Sequence, residues 1–257
     1  MKIFGSIVAY IIFGLIILIL TVLFPVFLIF KIFRFEAYFI KCVFILIRFA
    51  VKIGFRIIGI KLIITRDDAF YSYERSVVIM ANHIASMDLL FLMLVFKKPF
   101  IIVVKSSLLS IPLVNFMLIS MGVIFVSRGN IKSSALAQKR AMDAIEKGWS
   151  IGIFPEGTRN RGGKTRNFKR GSVNLALRTN SPIIPVTLLN TEKFFIKNFI
   201  LNSGLSIYVH VHFPINISSL TNYEIDNLHV IVRDRIVKKL EDMKIQYNID
   251  RNLNESK

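Results

Sequence analysis

A chain of 257 residues that is 54% hydrophobic, with 34 Lys and Arg against 16 Asp and Glu and a net charge of +18, is greasy and basic at once. A mean hydropathy of +0.58 excludes a disordered chain, and a single cysteine, Cys42, excludes a small disulfide-stapled domain. Nucleic-acid binders are basic but seldom so apolar, ordinary soluble enzymes are neither, and attachment to an anionic membrane leaflet accounts for both numbers.

From Ile3 to Phe30 no residue is charged. As one helix this run would span roughly 42 Å, more than a ~30 Å hydrocarbon core. Gly14 and Pro25 lie inside it, so a kinked or re-entrant path is as compatible as a straight one. It is too long for a secretory signal and has no small-residue cleavage site. Next come Lys31, Arg34, Lys41, Arg48, Lys52 and Arg56. At 100° per residue these fall within an arc of roughly 100°, with Phe and Ile on the other faces. A narrow basic stripe on a broad apolar surface is the pattern of a helix lying in a membrane interface. Residues 1–56 therefore read as an anchor, and basic residues after the first apolar run put the remainder on the cytoplasmic side.

Beyond it, short β-branched runs alternate with segments of helical period. Strands are expected at Ile60–Thr65, Ser76–Met80, Phe100–Val104, Val123–Ser127, Ile151–Phe154, Ile183–Leu188 and Ile207–Phe213. Helices are expected at Asp88–Phe96, Pro112–Met121, Ser133–Lys147 and Ser172–Thr179, and a last one from a Thr221/Glu224 capping box. Gly148 and Asn180 suit helix C-termini, and Pro112 suits a first helical turn. This alternation predicts an α/β domain over residues 57–257, with a largely parallel central sheet flanked by helices.

One strand end carries chemistry. Ser76–Met80 runs into Asn82-His83, and Asp88 opens the next helix five residues after the histidine. Across a tight turn the carboxylate can hold one imidazole nitrogen protonated and leave the other free to take a proton from a hydroxyl. The same spacing recurs at His229 and Asp234, but within one helix these lie roughly 140° apart and cannot pair. His210 and His212 share one face of a strand with no third ligand evident, so no metal site is expected.

A second strand ends in Phe154-Pro155-Glu156-Gly157-Thr158-Arg159-Asn160, where Pro and Gly set a tight turn. Six basic residues follow one another from Arg159 to Arg170 without an acid: Arg159, Arg161, Lys164, Arg166, Lys169 and Arg170. Such a loop is an anion funnel suited to phosphate. Arg128 and Lys105 end two further strands, at the carboxyl edge where α/β sheets bind ligands.

Together, Asn82-His83-x4-Asp88, Gly122 to Arg128, Phe154 to Arg159 and Ile184-Pro185-Val186 resemble the four ordered motif blocks of the glycerolipid acyltransferases, and most closely the bacterial lysophosphatidate acyltransferases. Phe168-Lys169-Arg170-Gly171 is similar to the segment after the third block. Two positions depart from the family pattern: Ser127 stands where the second block often has Asp, and Asn160 where the third often has Ser.

The resemblance implies transfer of an acyl chain from acyl-CoA or acyl carrier protein to the sn-2 hydroxyl of lysophosphatidate, giving phosphatidate, with no further cofactor. His83 would be the base and Asp88 its partner. Arg128, Glu156, Gly157, Thr158 and Arg159 would hold the acceptor, with Lys105 a further candidate and Arg159 the first choice for phosphate. The implied partners are a membrane lipid, an acyl thioester and an anionic bilayer surface, at a bacterial inner membrane. Glycerol 3-phosphate, another lysophospholipid or a lyso-ornithine lipid remain open as acceptors. A membrane-peripheral nucleic-acid binder would explain the charge but leaves His83 and Asp88 without a role, and no nucleic acid is expected as a partner.

Overall fold

The computed structural model describes residues 2–67, 75–127, 129–160, 165–195 and 200–249. The N-terminal apolar run forms two helices, α1 (Lys2–Val22) and α2 (Phe24–Ile32). Pro25 has no N–H, and its ring would collide with the carbonyl four residues back, so a continuous helix breaks at Leu23. The two meet at a bend of 44°, and no single helix is long and apolar enough to cross a membrane, although the bent pair passes that test by length and composition. A second break at Arg34, whose φ is 61°, precedes α3 (Glu36–Ile58). Lys31 and Arg34 therefore lie outside the helix that carries the rest of the basic stripe.

The seven strands are β1 (Lys61–Arg66), β2 (Val78–Ala81), β3 (Phe100–Lys105), β4 (Ile124–Val126), β5 (Ser150–Ile153), β6 (Ile183–Leu189) and β7 (Ser206–Val211). They form one sheet in the order β1-β7-β6-β2-β5-β3-β4. Only β6 and β7 pair antiparallel, and the other pairs are parallel. β2 and β6 are buried at every position, as strands covered on both faces must be. The helices of the domain are α4 (Asp88–Val95), α5 (Val114–Ser120), α6 (Ile131–Glu146), α7 (Asn174–Thr179), α8 (Asn222–Asp226) and α9 (Leu228–Gln246).

Thr221 and Glu224 form the expected capping box, but the last helix is split at Asn227. Asn180 and Gly148 take the left-handed conformation after their helices. Pro112 does not open α5. It precedes Leu113, which turns at φ 65°, and the helix starts at Val114.

Composition divides the chain at position 56, but packing does not. The buried apolar cluster runs without interruption from Ile16 and Leu20 of α1, through Phe44 and Phe55 of α3, to Val232 and Ile236 of α9. Arg48 of the basic stripe turns inward, donating to the carbonyls of Met93 and Leu94 at the end of α4 (3.0 and 3.4 Å). Arg66 does the same to Val95 (3.0 Å). Two cations thus sit at the negative end of α4, with Asp88 at its positive end. Lys41 lies 5.8 Å over the ring of Trp149.

Phe55, Phe91 and Phe194 form a three-ring cluster with centroids 5.1 to 5.8 Å apart, which ties α3 to α4. Phe91 is fully buried. Phe91→Ala is expected to cost about 3–5 kcal/mol, through lost burial and the cavity left behind. Thermal unfolding followed by circular dichroism checks it. A near-wild-type Tm would mean that α3 and α4 are held together elsewhere.

Candidate active site

β2 stops at Ala81, but the side chain of Asn82 continues its ladder. Asn82 Nδ2 donates to the Leu188 carbonyl (2.9 Å), and Oδ1 accepts the Leu188 N–H (2.8 Å). This imitates one rung of β pairing with β6 and fixes how the chain leaves the sheet. His83 follows, and the loop after the neighbouring strand β5 grips its backbone on both sides. The His83 N–H donates to Glu156 Oε1 (2.8 Å), and its carbonyl accepts the Asn160 N–H (2.7 Å). The imidazole stacks on Phe154 with centroids 4.1 Å apart.

His83 Nδ1 lies 2.8 Å from Asp88 Oδ2. That oxygen also accepts the N–H groups of Ile84 (2.7 Å) and Ala85 (2.9 Å), and Asp88 is fully buried. An acceptor of this kind selects the tautomer with the proton on Nδ1 and the lone pair on Nε2. A pinned histidine with a free basic nitrogen can take a proton from a hydroxyl brought against it.

Glu156 differs from its expected role as a substrate contact. Its carboxylate is buried, with Oε1 on His83 N–H and Oε2 on Arg166 N–H (3.1 Å). Burial pushes its pKa up, against the two main-chain donors that pull it down. It braces the loop and His83 from behind. Gly157 has φ +68°, and a Cβ there would stand 3.1 Å from Lys169 Cε. Lys169 thus lies across the turn, a placement the spacing did not indicate. Arg159 is exposed and donates from its guanidinium to Ser86 Oγ. Thr158 is half-buried between Gly157 and Arg159.

Lys105 is exposed at the end of β3, and the Ser106 and Ser127 hydroxyls hydrogen-bond at 2.7 Å, joining the ends of β3 and β4. Arg128, Arg161 and Lys164 lie outside the described residues. β2, β5, β3 and β4 are adjacent and parallel, so their carboxyl ends share one edge. At about 4.8 Å per strand, β3 lies roughly 10 Å from β2. Arg159, donating to Ser86, and Lys169, against Gly157, belong to the loop that grips His83.

Asn82, Phe154 and Asn160 stood in the motif blocks without an assigned role, and Lys169 was one of the six cations of the anion funnel with no place of its own. Their tasks depend on which strands are neighbours, which spacing does not encode. His229 makes no pair with Asp234, whose Oδ1 is held by Arg233 Nη1 at 2.8 Å. His210 and His212 do acquire a third candidate ligand, Asp67, because β1 pairs with β7 and carries it alongside them. An apolar cavity of about 110 Å³ lies between α1, α3 and α4, with Met87 and Leu90 in its wall.

Residues 61–189 match the family model described as Acyltransferase. Over 202 residues the chain is 54% identical to the 1-acyl-sn-glycerol-3-phosphate acyltransferase of Borreliella burgdorferi, covering 79% of this chain and 80% of that protein. It is 32% identical over 147 residues to a chloroplastic 1-acyl-sn-glycerol-3-phosphate acyltransferase of Arabidopsis thaliana, covering 56% and 41%. The fold is similar to the crystal structure of the 1-acyl-sn-glycerophosphate acyltransferase PlsC from Thermotoga maritima. The TM-score is 0.69 at 22% identity, over 95% of this chain and 98% of that one.

Asn82→Ala removes both bonds to Leu188 and leaves a buried N–H and C=O unpaired. The expected loss is about 2–4 kcal/mol, read by denaturant unfolding. A loss under about 0.5 kcal/mol would mean that the strand exit is fixed without this side chain.

Proposed function

The chain belongs to the acyltransferase family, and from that premise we propose that it transfers a fatty acyl group from a thioester to the sn-2 hydroxyl of 1-acyl-sn-glycerol 3-phosphate, making phosphatidate. The observation that carries this reading is the His83–Asp88 pair at 2.8 Å, gripped from both sides through the His83 backbone.

His83 Nε2 takes the hydroxyl proton as the oxygen attacks the thioester carbonyl. The C–O bond forms, the C–S bond then breaks, and the proton on His83 passes to the departing thiolate. Asp88 holds the ring and stabilises the imidazolium. Base catalysis of this kind contributes about 10²–10⁴-fold. The acceptor's own hydroxyl is the nucleophile, so the reaction asks for no enzyme thiol, and Cys42 on α3 has no part in it. Arg159 and Lys169 meet the phosphate, as the cations of the loop that holds His83, and Lys105 extends the positive edge; Arg128 is a contact proposed from its motif block alone. Gly157 keeps the turn open to the ligand, with Thr158 beside it. Coenzyme A and acyl carrier protein both suit the donor role. The apolar cavity behind Met87 and Leu90 suits part of an acyl chain.

The membrane is the second half of the reading. α1, α2 and α3 leave large apolar side chains in the open, among them Ile11, Leu18, Phe33 and Phe49, and Ile32 is 76% exposed. Burying such a surface in one leaflet removes it from water. An enzyme so seated meets an acceptor that lives in the bilayer. A bacterial inner membrane, with the catalytic sheet on its cytoplasmic side, fits this seating.

His83→Ala is expected to abolish acyl transfer, by about 10²-fold or more, while membrane association is unchanged; retained activity removes the base assignment. The assay is labelled acyl-CoA against a panel of lysophosphatidate, glycerol 3-phosphate, other lysophospholipids and a lyso-ornithine lipid, with lysophosphatidate the acceptor used. Arg159→Ala is expected to raise KM for the phosphate-bearing acceptor, whereas Glu156→Ala lowers kcat and leaves that KM within about twofold. A raised KM in Glu156→Ala would return Glu156 to the substrate contacts.

A further inference from the structure

Beyond the acyl-transfer site, the sheet carries a second constellation. β1 and β7 run parallel with Thr65 opposite His210, and β6 runs antiparallel on the other side with Thr187 opposite His210. His210 and His212 therefore stand on one face, ring centroids 4.6 Å apart. One residue past β1, Asp67 is drawn alongside them, its N–H donating to the Val211 carbonyl (3.0 Å).

The outer nitrogen of each ring is fixed by a threonine hydroxyl and the inner one faces the carboxylate. His210 Nδ1 lies 2.8 Å from Thr65 Oγ1, and His212 Nε2 lies 2.8 Å from Thr187 Oγ1. Inward, His210 Nε2 is 2.9 Å from Asp67 Oδ1, and His212 Nδ1 is 3.8 Å from Asp67 Oδ2.

One tautomer suits ligation. The Thr187 hydroxyl also reaches the Ile236 carbonyl (3.3 Å), and when it donates there it accepts from His212 Nε2, which leaves the Nδ1 lone pair free. His212 Nδ1 is then a lone pair aimed at a carboxylate oxygen, with no hydrogen between them. His212 is 6% exposed. In that state two acceptors face each other across 3.8 Å beside the exposed Asp67, whose Oδ2 also accepts the Phe213 N–H (3.1 Å), and a cation fits between them.

We propose that Asp67, His210 and His212 bind a divalent metal ion of the zinc class, held by His210 Nε2, His212 Nδ1 and Asp67, with the fourth position open to water beside Asp67. All three ligand atoms already lie within 4.8 Å of one another. Tetrahedral zinc with bonds of about 2.0–2.2 Å sets its ligands about 3.3 Å apart, so the 3.8 Å gap closes by about half an ångström, the 2.9 Å contact opens by about as much, and the remaining separation, at most 4.8 Å, closes by up to about 1.5 Å. Two imidazoles with one carboxylate suit zinc better than magnesium or calcium. The threonines supply the outer support that ligating histidines require. His210 need lose no proton: its Nε2 hydrogen transfers to Nδ1, and the Thr65 hydroxyl turns from donor to acceptor.

The charges around the cluster act both ways. Burial, then the field of Lys239, pulls His210 below its usual pKa, with Asp67 opposing. Burial and the neighbouring His210 push His212 down to about 3, with Arg235 and Lys239 adding to the effect and Asp67 opposing it. Neutral rings are the state that ligation needs. The same two cations on α9 weaken the site relative to one with no positive neighbour.

Bound there, the metal joins the end of edge strand β1 to β7 and, through Thr187, to β6. β1 is the strand into which α3 leads by way of Gly59. The metal is thus a clasp at the carboxyl end of edge strand β1, the end away from α3, and is separate from the chemistry at His83.

The test uses the full chain in detergent, freed of metal with a chelator and titrated with Zn²⁺ alone. Calorimetry is expected to give one ion per chain, with a Tm that rises as Zn²⁺ is added. Co²⁺ is expected to give the visible absorption of a four- or five-coordinate site. Asp67→Asn changes a partly exposed side chain, and His212→Gln keeps a polar group in the buried position. Each is expected to weaken Zn²⁺ binding at least about 10-fold and to remove the Tm rise, while His83→Ala leaves both unchanged. No stoichiometric Zn²⁺ binding by the wild type overturns the proposal. So does wild-type affinity in both Asp67→Asn and His212→Gln, or loss of binding in His83→Ala, which would put the ion at the acyl-transfer pair.

Discussion

A single carboxylate oxygen organises the reactive end of the sheet. Asp88 Oδ2 accepts from the N–H groups of Ile84 and Ala85 and from the imidazole of His83. A buried negative charge must gather donors, and here two of the three are main-chain groups of the turn itself. The turn is therefore shaped around Oδ2, with the histidine ring as its third donor, while the buried Oδ1 has no hydrogen-bond partner among the described residues. Because Asp88 also stands in the first turn of α4, the helix dipole favours the same charge. Arg48 and Arg66 at the far end of α4 complement the dipole from the other side. One short helix is thus fixed electrostatically at both ends, and the His83 ring is oriented as a consequence.

The second support comes from β5. Its loop takes the His83 N–H through Glu156 and the His83 carbonyl through Asn160, and lays Phe154 against the ring. Glu156, expected to contact the acceptor, has two oxygens that each accept a main-chain N–H, from His83 and Arg166, which ties the loop to the strand exit. Arg159 and Lys169 come from the same loop region, so the loop that holds His83 also carries positive charge.

The N-terminal helices show why a hydropathy count cannot separate core from membrane surface. α3 buries Phe44, Ile47 and Phe55 against the domain while exposing Ile45, Phe49 and Ile53. Both sets register equally as grease. The basic stripe is likewise divided: Arg48 turns inward against α4 carbonyls, while the exposed Lys41 lies over the Trp149 ring. The +18 is therefore shared among helix ends, ring faces and the acceptor edge, as well as any membrane contact.

What the sequence alone determined is local and periodic. The seven strands, the helices between them, the capping box at Thr221, and His83 five residues before an Asp at a strand–helix junction all follow from patterns a few residues long, set by backbone geometry and side-chain propensity. The proline break at residue 25 and the left-handed Asn180 belong to the same class. The sequence could not fix which strands become neighbours, because that choice rests on burying many apolar faces at once, and no short spacing records it. Strand order put Asn82 against Leu188 and Asn160 against His83. It turned Glu156 inward, laid Lys169 over Gly157 and carried Asp67 to His210 and His212. Contacts between residues about 70 to 145 positions apart are decided by tertiary packing alone.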